Sequence, residues 1–226
     1  MIKAPNGEFR VFCFGDSICF GQGVSPHLSW VTRIAEALAL LGKARRRLIT
    51  VQNPSVNGNT TRQALERMAY DIQAHEPDVL LLQFGMNDCN YWETDRGHPR
   101  VSPKAFLANL EEILERGWRC GVRHALMLTN HPSGRTEKNL PCVDFAYEDS
   151  NRRYNTLIRE VAVTGGSRVT LVDVEAAIIA NTGQRVEAVR SLLLDDLVHL
   201  GPRGHDLYVE TVEPIIRDVI IRYLDD

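Results

Sequence analysis

Apolar residues along this chain fall into short unbroken runs, separated by longer stretches in which they recur every three or four positions. The runs are Phe9–Phe14, Leu48–Gln52, Val79–Leu82, Ala125–Leu128 and Val169–Val172, and each reads as a strand. Val79-Leu80-Leu81-Leu82 has no polar alternation at all, as expected of a parallel strand covered on both faces. The stretches between them read as helices. Ser25-Pro26 supplies a capping residue followed by proline at the first helical position, which predicts a helix to about Leu41. A second helix is expected from Thr60 to about Ala74. Ser102-Pro103 repeats the cap-and-proline start, and Phe106, Leu107, Leu110, Ile113, Leu114 and Gly117 then fall on one stripe. Further helices are expected near Glu148–Val163 and from about Pro202 to Tyr223.

Strand and helix alternate throughout, so the pattern predicts an α/β fold with a five-stranded parallel sheet and helices on both faces. No internal repeat, low-complexity tract or linker interrupts residues 1–226, which are read as a single domain. In such sheets ligands bind beyond the carboxyl ends of the strands. Ser17, the segment after Gln52, the segment after Phe84 and the segment after Thr129 all fall at that rim. Two of the connections there are long, Gly85–Val101 and Asn130–Tyr147, and long connections in compact domains are usually functional or disordered.

Composition narrows the classes. Hydrophobic residues make up 44% and charged residues 24% of the 226, the balance of a globular protein with a substantial core. A net charge of −3 leaves no broad basic footprint for nucleic acid. The run Arg45-Arg46-Arg47 leads into a strand and reads as a solvated approach to it. The five cysteines are odd in number, widely spaced and without a C-x-x-C pair, which fits free thiols in a reducing compartment. "MIKAPNGEFR" lacks a secretory pattern and no apolar stretch reaches membrane-span length, so a cytoplasmic location is expected.

Four rim segments carry candidate chemistry: "GDSI" with Ser17, "NPSVNGNTT" with Gly58, "GMND" with Asn87, and "DDLVHLGPRGH" with Asp196 and His199. A serine nucleophile needs a base to take its proton, and the base needs an orienting carboxylate. Asp196 lies three residues before His199 and can reach the imidazole on a tight turn or one turn of helix; Asp195 lies four before and could also reach it on a helix, so spacing alone does not separate the two. Acyl transfer also needs donors for a developing oxyanion. Gly58 lets a backbone N–H approach substrate closely, Asn87 offers a side-chain amide, and the Ser17 N–H is a third donor. Each residue also has a structural reading as a cap, a turn or a surface pair, and their coincidence on one rim favours the chemical one. Asp88 is expected to brace its loop, His205 to start the last helix, and Cys13 and Cys19 to serve as packing.

These blocks resemble, in order, those of the SGNH hydrolases, also called the GDSL lipase/esterase superfamily: Gly15-Asp16-Ser17, the glycine of Val56-Asn57-Gly58-Asn59-Thr60, Gly85-Met86-Asn87-Asp88 and Asp196-Leu197-Val198-His199. The resemblance implies a flavodoxin-like three-layer α/β/α sandwich. It implies Ser17 as nucleophile, His199 as base, and Ser17, Gly58 and Asn87 as oxyanion donors, and it selects Asp196 over Asp195. Ile18 stands where the family name suggests leucine, a volume-conserving change. The G-x-S-x-G layout of ordinary α/β-hydrolases is absent because position 19 is Cys.

Rival classes fare less well. "GQGVSP" gives only G-x-G, without the third glycine of a dinucleotide site, and no G-x-x-x-x-G-K occurs. No H-E-x-x-H or Cys/His cluster suggests a metal, and no cofactor is expected. A catalytically dead binding protein would not need the full set of triad and oxyanion residues. The expected partner is a small-molecule ester. The rim loops carry Tyr91, Trp92, Phe145 and Tyr147 with Arg96, Arg100, Arg135 and Lys138, and His98 and His131 lie there too. Tyr91, Trp92 and His131 are the substrate contacts expected, although the aromatics could equally fold over one another as a lid. With no extended apolar run to line a long acyl tunnel, a short acyl group such as acetate on a carbohydrate or small alcohol is favoured. Acyl thioesterase, lysophospholipase-type lipase and acyltransferase activities use the same machinery and are the alternatives.

Overall fold

The computed structural model describes residues 7–183 and 185–225. Five strands, β1 (Glu8–Gly15), β2 (Leu48–Gln52), β3 (Val79–Gln83), β4 (His124–Leu128) and β5 (Val169–Val172), form one sheet in the order β2-β1-β3-β4-β5, every pair parallel. The central strand β3 and its neighbour β4 are buried along their whole length, which is why Val79–Leu82 and Ala125–Leu128 within them are unbroken apolar runs. β2 and β5, at the edges, are only partly covered.

Two helical layers enclose the sheet. Helices α2 (Trp30–Arg45) and α8 (Pro202–Leu224) pack together on one face, joined by α6 (Val174–Thr182); α3 (Thr61–Asp71), α4 (Pro103–Arg119) and α5 (Tyr147–Thr164) form the other. Among the described residues there are also two short α-helices, α1 (Ser17–Phe20) and α7 (Val186–Arg190). This is the three-layer α/β/α sandwich expected from the sequence. From β1 the chain runs outward to β2 on one side, then returns to β3 on the other. The crevice at such a reversal opens beyond the carboxyl ends of β1 and β3, where ligands bind in folds of this kind.

Several elements differ from the sequence reading. The helix expected from Ser25-Pro26 is a single 3-10 turn, Pro26–Leu28, followed by α2. Ser29 breaks the run by lying extended (φ −62°, ψ 135°). The new helix start is then served from α8, where His205 Nδ1 accepts the Trp30 N–H at 3.2 Å. His205 is therefore buried and packed against α2 as well as lying in the first turns of α8. The helix expected from Thr60 begins at Thr61 because Thr60 is its cap, with Gln63 Oε1 accepting the Thr60 N–H at 2.9 Å. α6 leaves little sequence signal because "VEAAIIANT" is apolar around most of its circumference and shows no stripe.

Candidate active site

β1 ends at Gly15, which has no room for a side chain: a Cβ there would sit 2.6 Å from Cys19 Cβ and 2.7 Å from the Gln83 carbonyl oxygen. The chain turns at once into α1. Asp16 caps that turn, its Oδ1 accepting the Ile18 N–H at 3.0 Å, and Ser17 becomes the first helical residue. Its N–H therefore has no carbonyl one turn back to bond, as at any helix start.

His199 comes to Ser17 from 182 residues away, its Nε2 lying 2.9 Å from Ser17 Oγ. The imidazole Nδ1 lies 2.5 Å from Asp196 Oδ2. Asp196 Oδ1 accepts the backbone N–H of Val198 and of His199, both at 2.9 Å. The segment is thus a side-chain-closed turn, not a helix, with Leu197 at φ +63°. Partial burial pushes the Asp196 carboxyl up, but the hydrogen bonds from the His199 ring and the two amides outweigh it and leave it below the usual carboxylate range. Asp195 is exposed at the surface.

A feature without sequence signal holds this turn. Three successive carbonyls are each bonded from residues 131–135: Arg135 Nε donates to the Asp196 oxygen at 3.0 Å, the Gly134 N–H to that of Leu197 at 2.8 Å, and His131 Nε2 to that of Val198 at 2.7 Å. His131 is fully buried, and its Nδ1 faces the Tyr208 hydroxyl at 2.8 Å. Burial pushes its pKa down to about 4, so the ring is neutral near pH 7 and donates from Nε2. The expected substrate contact at His131 does not match this placement, since both ring nitrogens are engaged beneath the turn.

Gly58 and Asn87 lie in the loops that follow β2 and β3. Gly58 adopts φ +76°, in the left-handed region, and a Cβ there would meet nothing within 4 Å. Asn87 donates from Nδ2 to Asp16 Oδ2 at 3.2 Å. Its neighbour Asp88 is buried and accepts from the Thr61 N–H (2.9 Å) and hydroxyl (2.5 Å), so it ties the loop to the start of α3. Burial pushes the Asp16 carboxyl up to about 7, and the nearby Asp88 charge adds to the shift. Burial likewise raises Asp88 to about 6.

The two long connections form a wall beside the crevice. Tyr91 and Phe145 pack edge to face, centroids 5.6 Å apart, and the Tyr147 hydroxyl donates to the Met86 carbonyl at 2.5 Å. These rings are largely spent on one another, whereas Trp92 remains 52% exposed. Between the loops lies a cleft of about 730 Å³, lined among others by Asn90, Tyr91, Arg135, Lys138, Tyr147 and Leu197. Leu197 belongs to the Asp196–His199 turn, so the cleft abuts the site. His98, in contrast, turns its Nδ1 toward its neighbour's carbonyl at Pro99.

Cys13, Cys19 and Cys89 are buried, and burial pushes the Cys19 and Cys89 thiols well up, as packing residues require. Among the described residues no cluster of three or more His, Cys, Asp or Glu side chains could hold a metal, and no helix is long and apolar enough to cross a membrane.

A hydroxyl, an imidazole and a carboxylate in line at the switch point of a parallel sheet, with amide donors alongside, are the parts of an acyl-transfer site. The chain belongs to the GDSL-like lipase/acylhydrolase family, whose model matches residues 13–207. It is 30% identical over 111 residues to an arylesterase of Vibrio mimicus, covering 49% of this chain and 50% of that protein. It is 28% identical over 118 residues to the uncharacterized lipoprotein YqeF of Bacillus subtilis (strain 168), covering 50% and 48%. These matches span about half the length of each curated relative. The fold is that of an acetylxylan esterase from Geobacillus stearothermophilus, with a TM-score of 0.70, 20% identity, and 90% and 92% of the two chains covered.

Proposed function

We propose that the protein is a serine carboxylic ester hydrolase that works through an acyl-enzyme. Ser17 Oγ attacks the ester carbonyl carbon while His199 Nε2 takes its proton. The carbonyl π pair moves onto oxygen, which the N–H groups of Ser17 and Gly58 and the Asn87 amide receive. The intermediate collapses, the C–O bond to the alcohol breaks, and His199 returns the proton to the departing oxygen. Water then repeats the sequence, with His199 as base, and releases the acid and Ser17. Asp196 keeps the Nδ1–H tautomer, leaves the Nε2 lone pair facing Ser17, and stabilises the imidazolium.

The observation that carries this reading is the continuous relay from Ser17 Oγ to His199 Nε2 (2.9 Å) and from His199 Nδ1 to Asp196 (2.5 Å). The favoured substrate is a short acyl ester, such as an acetate on a carbohydrate or small alcohol. The aromatic and polar lining of the cleft beside the turn, with Tyr91, Tyr147, Asn90 and Lys138, supports an alcohol of that kind. The acetylxylan esterase and arylesterase named above point the same way. A panel of p-nitrophenyl esters of increasing chain length, run beside acetylated sugars and an acyl thioester, tests it. Turnover should peak at acetate and vanish in Ser17→Ala. A maximum at long chains or at the thioester overturns the short-ester assignment. The five free thiols support a reducing, cytoplasmic compartment, which fractionation of the producing cell checks.

A further inference from the structure

Arg100 lies in the loop after β3, outside the four sequence blocks that mark the site. Its guanidinium makes two bonds that converge on the oxyanion donors: Nη1 donates to Asn87 Oδ1 and Nη2 to the Gly58 carbonyl, both at 3.1 Å. The head group stacks on Trp92, its carbon 4.6 Å from the ring centroid. It is also close enough to the buried carboxylates of Asp88 and Asp16 to feel both charges.

We infer that Arg100 is the positioning residue of the oxyanion hole, gripping Gly58 and Asn87 at once and setting the direction in which the Asn87 amide faces. This rests on the hydrolase reading above. An asparagine amide has two orientations that differ only in which end carries donors. A guanidinium has donors alone, so the end of Asn87 facing it must be the oxygen. The NH₂ end is thereby turned to the opposite side, where Asp16 Oδ2 accepts one of its protons at 3.2 Å. The second proton is left to point into the crevice. Without Arg100 the Asp16 contact alone opposes a flip of the amide, and a flipped amide would set a lone pair against the oxyanion. The second bond anchors the carbonyl of Gly58, which sits at a left-handed φ of +76° in the 56–59 turn. A lysine could place a charge here, but not the planar fork that reaches two acceptors.

Positioning of this kind acts on the transition state, so kcat is the quantity that moves. In Arg100→Gln, kcat for p-nitrophenyl acetate should fall by about 10- to 100-fold, somewhat less than loss of an oxyanion donor outright, with KM little changed. Arg100→Lys keeps the charge and the stem packing, so it folds, and it should lose activity to a similar degree. The same Arg100→Gln change made on an Asn87→Ala background should cost clearly less, because one of the two gripped donors is already gone. Wild-type kcat in Arg100→Lys overturns the two-point grip. A rise in KM alone in both variants makes Arg100 a substrate contact instead, and full additivity with Asn87→Ala separates it from the oxyanion hole. Wild-type protein and Ser17→Ala are assayed alongside: equal activity in those two defeats the hydrolase reading itself, whereas a normal contrast between them with unaffected Arg100 variants defeats only the positioning role.

Discussion

Substituting Asp196 by Asn tests the relay at its far end, and the hydrogen bonds around it dictate the outcome. Asp196 Oδ1 accepts two backbone N–H groups at 2.9 Å, from Val198 and His199. An asparagine in this place must keep its oxygen there, since turning the amide would set its NH₂ against both donors. The NH₂ then occupies the site of Oδ2 and donates to His199 Nδ1. The ring is forced to carry its proton on Nε2, where it faces Ser17 with no lone pair to accept with. Loss of the correct tautomer and of the charge opposite the imidazolium should lower kcat by about 10⁴-fold, or about 5 kcal/mol of barrier. Both backbone bonds survive, so the turn should hold and the melting temperature should change little. Asp195→Asn, at an exposed position, should leave kcat near wild type. Steady-state kinetics on p-nitrophenyl acetate, with thermal melts of both variants, decide it. An Asp196→Asn enzyme within tenfold of wild type, or a crippled Asp195→Asn beside a healthy Asp196→Asn, refutes the reasoning.

Ser17→Ala should fold as wild type and lose turnover by on the order of 10⁴-fold or more, which an activity assay beside a circular dichroism melt reads directly. Asn87→Ala should lower kcat by about 10²–10³-fold with little change in KM, and a pure KM effect would make it a substrate-binding residue. Gly58→Ala should also lose kcat: no protein atom lies within 4 Å of the new methyl group, so the fold has room for it, and the backbone strain at φ +76° costs about 1–2 kcal/mol. His131 should link stability to pH. Its folded pKa of about 4 lies below the ordinary 6.5, so an unfolded chain takes up the proton first as pH falls; the stability this residue provides is full above pH 6.5 and is lost on the way down to pH 4. Denaturation of wild type and His131→Gln, whose amide can still donate to the Val198 carbonyl, should show the wild type's advantage shrinking by about 3 kcal/mol over that window, and a constant difference would count against a neutral, buried His131.

β3 and β4 were legible because parallel strands buried on both faces must be largely apolar, whereas β2 and β5, only partly covered at the edges, still carry enough β-branched residues (Ile49 and Val51, Val169 and Val172) to read as strands. The helix ends were less so. Pro26 and Ser29 carry ordinary helix-start chemistry, and only the distant His205 ring, which receives the Trp30 N–H, places the start of α2 after Ser29. Ser17, Gly58 and Asn87 could be read from short blocks because they follow the ends of β1, β2 and β3, where local turn chemistry leaves a local mark, whereas Asp196 and His199 lie between α7 and α8 and are marked by their own D-x-x-H spacing. Spacing alone could not separate Asp195 from Asp196. The choice depends on whether the segment is a turn or a helix, and Leu197 at φ +63° makes it a turn. The supports of the site were not legible. Arg135 meets Asp196 across 61 positions and His131 meets Val198 across 67, and such bonds follow no period and require no neighbouring residue type.

The connection between β4 and α5 divides into two parts with different freedom to change. Residues 131–135 hold the carbonyls of Asp196, Leu197 and Val198, while residues 136–142 contribute side chains to the cleft wall. Randomising the whole connection to alter substrate preference would release the His199 turn from its footing along with the wall. A library confined to Thr136–Cys142 can reshape what the enzyme admits while leaving the His199 turn its three supports, so this stretch is the practical window for directed evolution of specificity.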